Sequence, residues 1–313
     1  MRIGVIMRRP RAAHATPMTD AITQLAADGA SVELLHPSES PIDLSRVRVA
    51  HDLYVLKEKT DLTLSFAAAL HTAGATILNS FPVSLRLRDK VLTCKVLQAA
   101  GVPTPATYVA SHVAQLVPLL AAGPLVVKPY RGSQGVGVRV FHDPAELTAF
   151  SPPPEPILAQ RFHRPDGRDR KIFVIGGEIF GVKRVWPPRT VADKLGEPFA
   201  VEPELAEIAQ RCGDAFGIDL YGVDIVISEG RPYVVDASSF PGFKGVPDAG
   251  KRLACYLRAA AERAARGEPV VPAVRDDSAY KLVLHLLSTT PAAPAELDRI
   301  RRLLDERQGR ASA

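Results

Sequence analysis

The stretch from Val126 to Val138 reads VVKPYRGSQGVGV, and it decides which kind of fold the sequence predicts. An apolar strand ends in Lys128, and glycines follow at positions 132, 135 and 137. Glycine lets backbone N–H groups approach an anion, and the lysine adds a mobile positive charge for phosphate oxygens. The Gly-Lys-Ser/Thr ending of a Walker loop is missing, and no helical pattern follows, which also excludes a Rossmann unit. An ordinary glycine-rich hairpin remains the alternative to phosphate binding.

A second pattern places two carboxylates on neighbouring apolar strands. Asp224 interrupts the run 221–227, and Asp236 ends the run 233–236, with Glu229 and Gly230 at the turn between them. A carboxylate on an apolar strand is costly unless a cation or a donor satisfies it. Two such groups on paired strands could hold Mg²⁺, which prefers one or two carboxylates together with waters and phosphates. The alternative is that each aspartate merely caps a turn.

A third pattern is the basic segment 159–177, in which five Lys and Arg residues fall between positions 161 and 171. Lys171 opens a predicted strand, and Arg184 follows on the next one. A solvated charge run is the ordinary explanation. Two cations on paired strands could instead face a cleft that holds phosphates.

Composition excludes several classes of protein. The chain has 313 residues, 46% of them hydrophobic and 23% charged, which predicts a globular protein of two or three lobes. The longest uncharged apolar stretch, 116–127, is too short to span a bilayer. Three scattered cysteines and an N-terminus without a signal-like apolar core predict a cytoplasmic protein. The net charge of +5 supports nucleic-acid binding only weakly and suits an anionic small-molecule site.

Periodicity along the chain predicts the order of the elements. Alternating strands and helices over the first eighty residues predict a small α/β unit with a mostly parallel sheet. Later helices are predicted over 85–100, 113–120, 203–216 and 251–266, with strands between them. The proline-rich stretch 151–156 is interpreted as a stiff linker, and residues 267–313 as a peripheral arm or a partly disordered tail.

These motifs, in this order, resemble the ATP-grasp superfamily over residues 79–246. Within it the chain is similar to the RimK-like ligases, with features similar to the inositol trisphosphate kinases. The resemblance implies an α/β (α+β) ATP-grasp fold preceded by a parallel pre-ATP-grasp α/β domain. The implied boundaries are 1–80 for that first domain, 81–266 for a two-lobed ATP-grasp domain with a linker near 151–156, and 267–313 for a C-terminal tail.

The resemblance also implies roles for individual residues. The nucleotide would be bound by Lys90, Lys128, Gly132, Ser133, Gln134, Gly135, Gln160, Arg161, Phe162 and Asp169. The metal would be bound by Asp224, Asp236 and Ser238, with Lys171 and Arg184 as catalytic cations and Lys57 and Lys244 toward the substrate. Ser238 departs from the family pattern, which has asparagine at this position. The serine hydroxyl is a shorter and weaker metal ligand than the asparagine side chain. Arg161 stands where many members have glutamate.

Two chemistries and one non-enzymatic function follow from the resemblance. A ligase would join a small acidic substrate to an amine or a similar nucleophile through an acylphosphate, using ATP and Mg²⁺ or Mn²⁺. A kinase would phosphorylate a polyphosphorylated polyol, and a regulator would bind the nucleotide without turnover. No nucleic-acid or membrane partner is expected, and a homodimer is left open.

Overall fold

The computed structural model describes residues 1–9, 15–132, 135–152, 156–185, 190, 193 and 195–271. Within these residues the chain forms three sheets of four, four and five strands, with helices packed against them. The mixed α/β class predicted from the sequence is confirmed. Most of the predicted tail and part of the predicted linker lie outside the described residues.

The first sheet is entirely parallel, with the strand order β2-β1-β3-β4. Its strands are β1 (Arg2–Ile6), β2 (Ser31–Leu35), β3 (Leu53–Leu56) and β4 (Ile77–Leu78). The crossover helices are α1 (Pro17–Ala27) and α2 (Asp61–Thr72). The chain leaves β1 toward β2 on one side and returns to β3 on the other. The carboxyl ends of β1 and β3 therefore form a topological switch point.

The next segment forms two helices, α3 (Phe81–Arg88) and α4 (Lys90–Ala99), where the sequence predicted a single helix over 85–100. That prediction is wrong at Asp89, whose backbone is extended. Its carboxylate accepts hydrogen bonds from the N–H groups of Val91 and Leu92 at 2.9 and 3.1 Å. Aspartate is a favoured residue at the N-cap of a helix. A new helix therefore begins after Asp89, and Lys90 lies in its first turn.

The second sheet is antiparallel, with the order β5-β8-β6-β7. Its strands are β5 (Thr107–Ala110), β6 (Leu125–Pro129), β7 (Arg139–Phe141) and β8 (Ile157–Arg161). A short helix, α5 (Pro144–Ala149), packs against it. The helix predicted over 113–120 is instead two 3₁₀ turns, because Pro118 interrupts its hydrogen-bond ladder.

The third sheet is also antiparallel, with the order β11-β10-β9-β12-β13. Its strands are β9 (Asp169–Ile175), β10 (Glu178–Arg184), β11 (Glu197–Phe199), β12 (Leu220–Ser228) and β13 (Arg231–Ser239). Helix α6 (Pro203–Phe216) covers one face with an apolar stripe. Gly213 of this helix leaves room for Tyr221, whose hydroxyl oxygen would lie 2.4 Å from an added Cβ.

The last described helix, α7 (Ala249–Ala265), joins the first sheet to the third. One buried cluster contains Val5 of β1, Leu25 of α1, Phe173 of β9 and Leu257 of α7. Arg258 forms an ion pair with Asp28 at 2.7 Å on the rim of that contact. The first and third sheets therefore share one core.

The cysteines form no disulfide: Cys94 is partly buried, Cys212 is buried and Cys255 is exposed. No helix in the described part of the chain is long and apolar enough to cross a membrane.

Candidate functional site

Two carboxylates lie side by side on neighbouring strands of the third sheet. Asp224 on β12 lies directly opposite Asp236 on β13, and Ser238 lies two residues further along the same strand. Because side chains alternate between the faces of a strand, Asp236 and Ser238 project from one face. About a third of each aspartate side chain stays exposed. The sheet thus presents two carboxylates and a hydroxyl on one surface.

Each carboxylate has a lysine partner. Lys90 Nζ lies 2.7 Å from Asp236 Oδ1, and Lys171 Nζ lies 2.7 Å from Asp224 Oδ2. Lys171 is opposite Asp224 on the neighbouring strand β9, whereas Lys90 comes from the first turn of α4. Burial alone would raise the pKa of Asp236, but the charges of Lys90 and Lys128 outweigh it and lower that pKa. Asp236 is therefore held as an anion.

Lys128 links the second sheet to the third. Its Nζ donates to Gln160 Oε1 at 2.6 Å and to the carbonyl of Val235 at 3.0 Å. Val235 is the extra residue of a β-bulge, since Ile225 pairs with Val234 and Asp224 with Asp236. A bulged residue leaves the ladder, which frees its carbonyl for the lysine. Burial lowers the pKa of Lys128, and the charge of Asp236 limits that decrease.

The segment 160–162, predicted to bind the nucleotide, is held in place by hydrogen bonds within the protein. Gln160 is buried and donates to Thr107 Oγ1 at 3.2 Å. The Arg161 guanidinium donates to the carbonyls of Leu119, Gly123 and Pro124. The N–H groups of Arg161 and Phe162 donate to Ala106 and Pro124 at 2.8 and 3.0 Å. The Arg161 side chain thus holds the 3₁₀ segment in place. To bind a base, the backbone N–H of Arg161 or Phe162 would have to give up its carbonyl partner.

The glycine loop depends on glycine at identifiable positions. Gly135 and Gly137 have φ values of 73° and 76°, a region that side chains rarely adopt. A Cβ on Gly137 would lie 2.8 Å from Pro129 Cγ. Gly132 donates its N–H to the Pro129 carbonyl at 3.1 Å. Ser133 and Gln134, also predicted to bind the nucleotide, lie outside the described residues.

Two cavities lie close to these groups. The wider one, of about 540 Å³, opens beside the glycine loop and is lined by 127–129, 136–139 and the proline-rich edge near Pro152. The narrower one, of about 10 Å³, lies beside Lys90 and Asp236 and has room for a single water. Only the wider cavity has the size of a ligand site.

Arg184 and Asp169 lie opposite each other on β10 and β9. Arg184 donates to the carbonyl of Lys244 at 2.9 Å and lies over the ring of Phe173, 5.4 Å from its centre. Burial lowers the pKa of Arg184. Burial, together with the charge of Asp224, raises the pKa of Asp169 to about 6. Lys244 itself is exposed, so the structure brings its backbone rather than its ammonium to Arg184.

Lys57 and Lys59, which directly follow β3, reach across to the end of β13. Lys57 Nζ donates to the carbonyls of Phe240 and Pro241 at 3.0 and 2.7 Å, and Lys59 Nζ donates to that of Ser239. Sequence reasoning named Lys57 but missed Lys59. The only available signal was its spacing, two residues after the first lysine in the run Lys-Glu-Lys.

The donor set of the aspartates suits a hard divalent cation. Two carboxylates and a hydroxyl are ligands that Mg²⁺ accepts while it keeps waters or phosphate oxygens in its other positions. Across the ranges that the structure describes, no group of three or more His, Cys, Asp or Glu residues could hold a metal ion. The residues therefore fit an ion shared with a phosphate ligand better than one enclosed by protein alone.

The chain and its fold are similar to those of several known proteins. The chain is 26% identical over 297 residues to the probable alpha-L-glutamate ligase 1 of Shewanella amazonensis, covering 86% of this chain and 98% of that protein. Its structure resembles a RimK-domain ATP-grasp protein of Sphaerobacter thermophilus, with a TM-score of 0.65 at 20% identity over 81% and 98% of the two chains. It also resembles the D-alanine–D-alanine ligase of Bacillus anthracis, with a TM-score of 0.63 at 20% identity over 85% and 98%.

These structural likenesses confirm the ATP-grasp fold that the sequence predicted. The model of the RimK-like ATP-grasp domain matches residues 87–258, which is more than half of the chain. The chain therefore belongs to the RimK-like ATP-grasp family.

Proposed function

We propose that this chain is a MgATP-dependent ligase that joins a small acidic substrate to an amine through an acylphosphate. Membership of the RimK-like ATP-grasp family and the ligase names of its curated relatives support an ATP-dependent ligase. The observation that bears most on the proposal is the double ion pair, Lys90 with Asp236 and Lys171 with Asp224. It brings two cations and two metal-type carboxylates from four elements, α4, β9, β12 and β13, to one surface.

The proposal gives a role to each of the cationic and metal-type residues of the candidate site. Lys90 and Lys128 bind phosphate oxygens of the nucleotide, and Lys171 and Arg184 stabilise charge on the transferring phosphoryl group. Asp224, Asp236 and Ser238 would hold Mg²⁺, which neutralises phosphate charge when it is bound. Such chemistry depends on positioning and electrostatics and requires no protein nucleophile.

The reaction has two steps. An oxygen of the acceptor carboxylate forms a bond to the γ-phosphorus, and the bond from that phosphorus to the β–γ bridging oxygen breaks, releasing ADP. The amine nitrogen then attacks the carbonyl carbon of the acylphosphate. Inorganic phosphate leaves, and the nitrogen loses a proton, which gives the amide.

The test is to measure ADP and inorganic phosphate separately while acids and amines are supplied singly and in pairs. Glutamate is the first amine to supply, because curated relatives are named alpha-L-glutamate ligases. We expect equal release of ADP and phosphate only when both substrates are present. Asp236→Asn should abolish this turnover, because it removes a proposed metal ligand, whereas the exposed Glu204→Gln should leave it unchanged.

Other outcomes would contradict the ligase. ADP release with no free phosphate would favour the kinase. The observation that supports a kinase is the position of Lys57 and Lys59 near the carboxylates, because two cations suit a polyanionic acceptor. Binding of MgATP without turnover for any substrate pair would favour a regulator. Full activity of Asp236→Asn would remove that residue from the metal site.

A further inference from the structure

Two lysines at the edge of the site, Lys57 and Lys59, are partly buried, and neither donates to a carboxylate among the described residues. Among the described residues, the ammonium groups of Lys57 and Lys59 donate hydrogen bonds only to the carbonyls of 239–241. Lys90 and Lys171 differ from them, because each has an aspartate partner. Removing a cation from water without a hydrogen-bonded anion is costly, and carbonyl dipoles compensate that cost only in part.

The remaining hydrogen-bonding capacity of these lysines is specific. Each ammonium has three N–H donors. Lys57 uses two of them and Lys59 uses one, so three donors of the two side chains have no acceptor in the part of the chain that the structure describes. Three such donors on two cationic side chains match a carboxylate or a phosphate group.

The backbone that faces the lysines is held in an unusual conformation. Phe240, whose carbonyl accepts from Lys57, has a positive φ of 43° although it is not glycine. Phe243, three residues later, has a φ of 49°. Both rings are buried, and Lys57 Nζ lies 4.8 Å from the centre of the Phe240 ring. Strained residues persist where surrounding packing determines them, and they cluster at ligand sites.

The position of the lysines in the fold gives a second, independent reason to expect a ligand. Both residues directly follow β3, at the switch point between β1 and β3 of the parallel sheet. In open parallel sheets, ligands bind in the crevice outside the carboxyl ends of the strands at this point. Here the carbonyls that both lysines reach lie at and just beyond the end of β13, the strand that contains Asp236.

We propose that Lys57 and Lys59 form an anion subsite for the acceptor, and that the acceptor therefore has at least two anionic groups. One carboxylate reacts near Asp224 and Asp236, and the other group is held by the two lysines. Ser239 is three residues beyond Asp236 on β13, which corresponds to roughly 10 Å along the strand. The acceptor is thus an extended acid rather than a monocarboxylate. The inference rests on the proposed ligase activity, which it makes more specific.

The experiment is a calorimetric titration in the presence of Mg²⁺ and a non-hydrolysable ATP analogue. The probes are straight-chain dicarboxylates and the monocarboxylates of the same length. We expect the wild-type chain to bind the best dicarboxylate at least about tenfold more tightly than its monocarboxylate. Lys59→Met should remove most of that preference, whereas the affinity for the nucleotide analogue stays within about twofold.

Two control variants and a second test variant make the outcome decisive. Lys59→Arg keeps the charge and should retain the preference, and Lys57→Met provides a second test should Lys59→Met not fold. Lys251→Met removes an exposed lysine of α7 and should change nothing. Equal binding of dicarboxylates and monocarboxylates would overturn the proposal. It would also be overturned if Lys59→Met weakened binding of the nucleotide and not of the acid.

The two proposals fail in distinguishable ways. If no pair of acid and amine releases ADP and phosphate, but a dicarboxylate still binds in a Lys59-dependent way, the ligase fails and the anion subsite stands. If turnover occurs with monocarboxylates as efficiently as with dicarboxylates, the ligase stands and the subsite is overturned.

Discussion

Lys128 is the residue whose contacts make the clearest prediction for nucleotide binding. Its ammonium bridges Gln160 on β8 and the bulged carbonyl of Val235 on β13. Lys128→Met should weaken the affinity for MgATP by roughly 10- to 150-fold, because it removes a charge-assisted hydrogen bond worth about 1.5–3 kcal/mol. Calorimetry with the nucleotide measures this change, and Lys251→Met is the matched control. An unchanged affinity would exclude Lys128 from the nucleotide site.

Binding of the acceptor acid should depend on pH near neutrality. Burial and the neighbouring charges of Lys59 and Lys244 lower the pKa of Lys57 to about 7. Burial and Lys171 lower the pKa of Lys59 to about 8, with Asp236 raising it and Arg88 lowering it. An anion requires the protonated lysines, so its affinity should be greatest below pH 7 and should fall as the pH rises through 8. Lys59→Arg should remove much of this dependence, because arginine stays charged.

The measurement for this prediction is the dissociation constant of a dicarboxylate at a series of pH values. A constant affinity between pH 6 and pH 9 would contradict the assignment of the two lysines to the anion subsite. An affinity that rose with pH would contradict it as well.

At the residue scale, the sequence identifies charges that interrupt an apolar pattern. Lys128, Asp224 and Asp236 all stand on predicted strands, and the structure brings them to one surface with Lys90. Lys59 gives no such signal, because its partner Ser239 lies 180 residues away and contributes only a backbone carbonyl. The contacts of the Arg161 side chain are unpredictable for the same reason, since its acceptors are carbonyls of a 3₁₀ segment.

At the scale of single elements, the N-terminus of α4 links stability to the site. The Asp89 carboxylate caps this helix, and the next residue is Lys90, the partner of Asp236. Asp89→Ala should lower the free energy of unfolding by about 1 kcal/mol, because two backbone donors lose their acceptor. Asp89→Asn keeps a capping oxygen and should cost much less. Chemical denaturation of both variants measures the difference, and an equal loss in the two would contradict the capping role.

Element prediction succeeds where a pattern is long enough. Helix α6 has the predicted bounds, since its apolar stripe extends over fourteen residues. Strand β5 and helix α5 were not predicted, because four and six residues are too few for a periodic pattern to emerge. The break at Asp89 was also missed, because the apolar spacing continues across it and only the backbone reveals the cap.

At the scale of the whole molecule, α7 makes the first and third sheets one cooperative unit. Leu257 is fully buried in the cluster that also contains Leu25 of α1. Leu257→Ala should lower the free energy of unfolding by about 2–5 kcal/mol, since it leaves a cavity in this core. The exposed Leu92→Ala should change it by less than about 0.5 kcal/mol. Calorimetry should show one transition, and two separate transitions would contradict a shared core.

More of the overall architecture was predictable from the sequence than the packing of α7 against α1. Strand and helix alternation predicted the parallel first sheet, and paired apolar runs predicted the hairpin of β12 and β13. The packing of α7 against α1 has no local signal, because an alanine-rich helix face can pack against many partners. Such long-range pairing depends on how all the elements fit together.

The differing environments of the three thiols have a practical consequence for spectroscopy. The thiolate is the reactive form, and burial raises the pKa of Cys212 to about 12 and also raises that of Cys94. Cys255 is exposed on α7. At neutral pH a maleimide dye should therefore attach first at Cys255, without any substitution in the chain. A fluorophore there would lie on the helix that joins two of the sheets, where it could report relative movement as substrates bind.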